Sequence, residues 1–107
     1  MSKESEFQTK LRKEIEERFE GSIVTKLDSG DIQGIPDLLI LYKNKWAALE
    51  CKRSSNENKQ PNQDWYVKRM NEMSYASFIY PENKENVLNE MERSFKSSRA
   101  TRVPKSK

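Results

Sequence analysis

Residues 34–52 read GIPDLLILYKNKWAALECK, and this stretch decides the fold. Leu38–Tyr42 (LLILY) and Trp46–Leu49 (WAAL) are dense apolar runs, and Lys43-Asn44-Lys45 between them forms a polar hairpin loop. Strands apolar on both faces belong in the middle of a sheet that is covered on both sides. The polar ends of the hairpin are equally informative. Glu50 and Lys52 stand two apart on a strand, so both side chains leave the same face, while Cys51 points the other way into a core. With Asn44 near the middle of the turn, Asp37 falls across from Glu50 and Cys51 at the open end of the hairpin. Neighbouring strands lie about 4.8 Å apart, close enough for Asp37 and Glu50 to share one cation.

Two carboxylates and an ammonium at the end of two apolar strands are an expensive arrangement. They lose solvation, and the carboxylates repel each other. A divalent cation resolves that repulsion, and magnesium holds one or two carboxylates while keeping room for a substrate phosphate. Lys52 can orient or deprotonate an attacking water, or stabilise developing charge. A structural ion pair is the plainer reading of the same three groups.

Outward from the hairpin, Phe7, Leu11, Ile15 and Phe19 recur every four residues and predict a helix over 5–20, stopped by Gly21. Residues 22–27 suit a short strand, and DSGDIQG (28–34) is turn chemistry. RSSNENKQPN (53–62) reads as an exposed loop. A helix follows over 63–73, with Trp65, Met70 and Met73 expected inward. Residues 76–80 (ASFIY) form another strand, and a last helix spans 83–95 with Val87, Leu88, Met91 and Phe95 on its apolar stripe. The order α-β-β-β-α-β-α predicts an α/β fold, a small mixed sheet flanked by helices on both faces.

Composition narrows the chemistry. The chain has 107 residues, a length that suits one domain, here residues 1–95 followed by a basic, disordered tail over 96–107. No apolar run approaches the roughly 18 residues of a membrane span. A single cysteine, Cys51, allows no internal disulfide, and this favours a cytoplasmic location. There is no histidine. That removes His-containing triads and imidazole-based zinc sites, so a metal here is a hard cation on oxygen ligands. The net charge of +3 is uneven: residues 93–107 carry six bases and no acid, while residues 1–92 hold 14 bases and 17 acids. A basic tail is a common nucleic-acid arm, and a solubilising end is its plain alternative.

The pattern Pro36-Asp37, a hairpin, then Glu50-Cys51-Lys52 resembles the signature of PD-(D/E)XK nucleases, with a restriction-endonuclease-like fold. Closer still, the chain resembles a stand-alone VRR-NUC domain, the virus-type replication-repair branch, over roughly residues 4–81. The resemblance implies a DNA endonuclease dependent on Mg2+ or Mn2+. It implies metal held by Asp37, Glu50, the Cys51 backbone carbonyl and Glu6 on the first helix. It also implies that Lys52 and Gln63 handle the water and the scissile phosphate. Arg53, Lys59, Lys68 and Arg69 surround the expected site as candidate DNA contacts. Stand-alone members of this branch are often encoded by phages and resemble Holliday-junction resolvases, so branched DNA and a homodimer are implied. The alternatives are a DNA-binding module without cleavage, and a nicking or flap nuclease within a replication-repair assembly. Trp65 and Tyr66 could stack on a base, but Trp65 is expected in the core, with Tyr66 flanking the inward positions.

Overall fold

The structure is a computed structural model, and it describes residues 3–97. Helix α1 (Lys3–Arg18) leads into strands β1 (Ile23–Lys26), β2 (Leu38–Tyr42) and β3 (Lys45–Cys51). Helix α2 (Gln63–Met73), strand β4 (Tyr75–Ile79), a short 3-10 turn at Pro81–Asn83 and helix α3 (Lys84–Lys96) complete the order. The four strands form one mixed sheet in the order β1-β2-β3-β4, antiparallel except for the parallel pair β3 and β4. The α/β architecture read from the sequence is thus present, with element ends moved by a residue or two. The hairpin turn is tighter than expected: Lys45 pairs with Tyr42, leaving Lys43 and Asn44 as a two-residue turn with Lys43 left-handed at φ 56°.

Alternation along the strands sorts side chains between two layers. Val24, Leu38, Ile40, Ala47, Leu49, Cys51 and Ile79 face Leu11, Ile15 and Phe19 from the α1 segment and Val87, Leu88, Met91 and Phe95 from α3. Each large apolar side chain of this layer contributes roughly 1.5–3 kcal/mol when fully buried. Phe19, Tyr42 and Phe95 meet there with ring centroids 5.2 to 5.5 Å apart. The other face is smaller, with Ala48, Val67 and Ala76 packed under Trp46, Met70 and Phe78.

Trp65 corrects the sequence reading. It is 60% exposed, edge-on to Tyr66 at 4.8 Å, and Val67 takes the buried position. The helix phase explains this, because Gln63 and Val67 lie on one face, four apart, while Trp65 sits roughly 200° from Gln63. The basic tail expected over 96–107 falls mostly outside the described residues, since α3 continues to Lys96 and description ends at Ser97.

Candidate metal centre

The open end of the β2–β3 hairpin gathers the polar groups. The ladder ends at Leu38 opposite Leu49, so one further step sets Asp37 beside Glu50 on the face that α2 covers. Asp37 Oδ2 accepts the Cys51 backbone N–H at 2.9 Å, and its own carbonyl accepts from Leu27 N–H at 2.9 Å. Pro36, fully buried, ends the preceding loop. Cys51 lies in the α1–α3 layer with no exposure, and burial pushes its thiol pKa up. It is a packing group.

Glu50 and Lys52 are only 3% and 4% exposed, rare for charged residues unless they are partnered. Gln63, the first residue of α2, joins them. Its Nε2 donates to Glu50 Oε2 at 2.9 Å, and its Oε1 accepts from Lys52 Nζ at 2.8 Å. Lys52 Nζ also donates to the Asn58 carbonyl at 3.2 Å, and lies 3.9 Å from both Glu50 and Glu57. Two of its three N–H groups are thereby committed, and its position is fixed.

Helix α1 supplies a third carboxylate. Glu4, Asp37 and Glu50 each place an oxygen within 4.8 Å of the others. The sequence reading named Glu6 for this place. Glu6 is exposed and outside the trio, whereas Glu4 stands seven residues before Leu11 and eleven before Ile15, on the buried stripe. That spacing is the signal that points to Glu4.

Electrostatics follow from the crowding. Burial first, and then the Asp37 charge, pushes the Glu50 pKa up to about 8. Burial raises Asp37 as well, opposed by the Cys51 N–H. Glu4 is raised by burial, then by Glu57 and Asp37. With the carboxylates ionised, Glu50 Oε1 is buried with no hydrogen-bond donor among the described residues. An ionised oxygen of that kind needs a proton or a cation. The donor set, all oxygen, suits a hard divalent ion.

The candidate DNA contacts scatter. Arg53 is exposed and meets Glu57 at 4.0 Å, and Arg69 pairs with Glu72 at 3.2 Å. Lys59 reaches Asp64 at 3.4 Å and sits over the Phe78 ring, 4.4 Å from its centroid. Lys68 makes no ion pair or side-chain hydrogen bond among the described residues, and it lines a cleft with Lys59. No described helix is long and apolar enough to cross a membrane.

No protein-family model matches the chain, and no curated protein does. Among solved structures, a chain described as a VRR_NUC domain is 24% identical, with a TM-score of 0.55 over 92% of this chain and 100% of that one. The sheet and its flanking helices are therefore similar in fold to a VRR_NUC domain.

Proposed function

We propose that the chain is a metal-dependent DNA endonuclease, using Mg2+ or Mn2+, that acts as a homodimer on branched DNA such as four-way junctions. The observation that carries the metal-dependent reading is the buried Glu50 beside the half-buried Asp37, with one Glu50 oxygen lacking a donor among the described residues and Lys52 held beside it by Gln63. Asp37, Glu50 and Glu4 would hold the cation, with the Cys51 carbonyl as a further ligand. When bound, the cation lowers the pKa of a coordinated water and neutralises charge on the scissile phosphate.

The chain's own residues do the rest. Gln63 keeps Lys52 and Glu50 at fixed separation, so neither has to reorganise during reaction. The third N–H of Lys52 orients the attacking water beside the scissile phosphate. Arg53, Lys59, Lys68 and Arg69 neutralise flanking phosphates, the first two and the last after releasing Glu57, Asp64 and Glu72. Branch preference and dimerisation rest on the family resemblance, and on the match between a twofold junction and a twofold dimer.

The test is a labelled four-way junction and a matched linear duplex, each with Mg2+, Mn2+ or EDTA. Symmetric, metal-dependent cuts confined to the junction are expected, and Asp37→Asn should abolish them while leaving DNA binding within a few fold. Cutting of both substrates removes the branch selectivity. Binding without cutting in any metal assigns the chain to the DNA-binding class instead.

A further inference from the structure

A cleft of about 360 Å3 lies between α2 and β4, lined among others by Lys59, Lys68, Asn71, Ser77, Phe78 and Tyr80. Its place beside the carboxylates is set by sheet register. Phe78 on β4 is the direct partner of Glu50 on β3, and both side chains share the face that α2 covers. The aromatic floor of the cleft is therefore one strand spacing, about 4.8 Å, from the metal-binding strand.

Its cations are organised in different ways. Lys59 comes from the loop between β3 and α2, and both of its neighbours are tied to the centre. The Asn58 carbonyl accepts from Lys52 Nζ, and the Gln60 N–H donates to Gln63 Oε1 at 2.8 Å. One bond from Lys52 and one to the Gln63 oxygen that also accepts from Lys52 thus fix the backbone on either side of Lys59, whose ammonium lies over the Phe78 ring and 3.4 Å from Asp64. Lys68 projects from α2 with no ion partner among the described residues. An aromatic face, two ammonium groups and neighbouring hydroxyl and amide groups match a nucleobase with its phosphates, since bases stack on aromatic side chains while lysines take the backbone.

We propose that this cleft receives one unpaired nucleotide of the substrate strand beside the cut phosphate, its base against Phe78 and its phosphates on Lys59 and Lys68. Lys59 moves off the ring as the base enters, and its charge is retained on the strand. A base inside a duplex is stacked and paired and cannot enter, so the cleft favours strands with an extrahelical or single-stranded nucleotide. This rests on the nuclease reading and deepens it, placing structure selectivity in a site within one chain.

The experiment uses the full chain with Ca2+ to hold back cleavage. Its probes are a duplex carrying one unpaired 2-aminopurine nucleotide and the fully paired duplex of the same sequence. The unpaired probe should bind about tenfold more tightly, as expected from one base–aromatic stack, with a change in fluorescence as the base leaves its neighbours. Phe78→Leu, which keeps an apolar side chain in the packing, should remove the preference and the fluorescence change. Lys68→Ala, at an exposed helix position, should weaken the unpaired probe more than the paired one. Equal affinity for both probes, or an unchanged preference in both variants, overturns the inference. A parallel digestion in Mg2+ separates the two readings: cutting without preference leaves the nuclease and removes the cleft's role, whereas preference without cutting leaves the cleft and removes the nuclease.

Discussion

A carboxylate with little water around it and another carboxylate beside it keeps its proton, and Glu50 is in that position, its pKa pushed up to about 8 by burial first and Asp37 second. From the ordinary 4.5 up to about 8, the folded chain holds a proton that the unfolded chain has released. Metal-free stability therefore falls as pH rises through that window and levels off above it. Melting in EDTA should give a lower Tm at about pH 9 than at about pH 5.5, and Mn2+ should raise Tm more at the higher pH. Glu50→Gln should flatten both responses, and an unchanged pH profile in that variant would place the burden elsewhere. Gln63→Ala should lower cleavage about 10- to 100-fold, the usual effect of losing a group that orients ligands, with DNA binding preserved. Glu4→Gln should weaken Mn2+ affinity in calorimetry, and Glu6→Gln should not, because Glu6 faces solvent. Asp37, Glu50 and Lys52 were legible as neighbours because strand alternation and hairpin pairing are short-range rules. Glu4 is less legible, since Glu4 and Glu6 both occupy the first turn of α1 and only the stripe through Leu11 and Ile15 separates them.

The start of α2 depends on a glycine from a distant loop. Gly34 has φ +93°, and a Cβ there would lie 2.6 Å from the Asn62 Cβ and 2.9 Å from its carbonyl carbon. Asn62, itself left-handed at φ 74°, directly precedes Gln63. The loop before β2 and the first turn of α2 thus pack backbone to backbone, and this packing aims Gln63 at Glu50. Gly34→Ala should cost more than about 1 kcal/mol from the strained φ alone, and more from the overlap. Its loss of cleavage should exceed its loss of folded fraction, measured together by denaturant melts and digestion. The glycine-rich turn before Pro36 was visible in the sequence, but the approach to Asn62 spans 28 residues and no local pattern encodes it. The helix phase of α2 departs from the hydropathy pattern for a related reason. Trp65 looks like a core residue by hydropathy, yet the polar Gln63 fixes which face of the helix meets the sheet.

Across the whole molecule, charge is divided between an acidic first part and a basic end, with Arg99, Arg102, Lys105 and Lys107 the bases beyond the described residues. Removing residues 98–107 should weaken DNA binding and lower its salt slope by about 0.9 for each phosphate that the segment neutralises. A slope that does not change assigns that segment to solubility. The two layers differ in size, and the larger one between the sheet and helices α1 and α3 carries the stability, so Leu88→Ala should cost about 2–5 kcal/mol in denaturant melts. The smaller layer under α2 serves the site, because Gln63, the loop carrying Lys59, and Phe78 all meet there. The central claim is that Lys52 works beside a cation held by Asp37 and Glu50. Its most direct test compares the wild-type chain with Lys52→Ala on a four-way junction in Mn2+, measuring cleavage, DNA binding and Mn2+ affinity side by side. The account predicts that the variant binds DNA within a few fold of wild type, retains Mn2+ and does not cut; cleavage at the wild-type rate would contradict it.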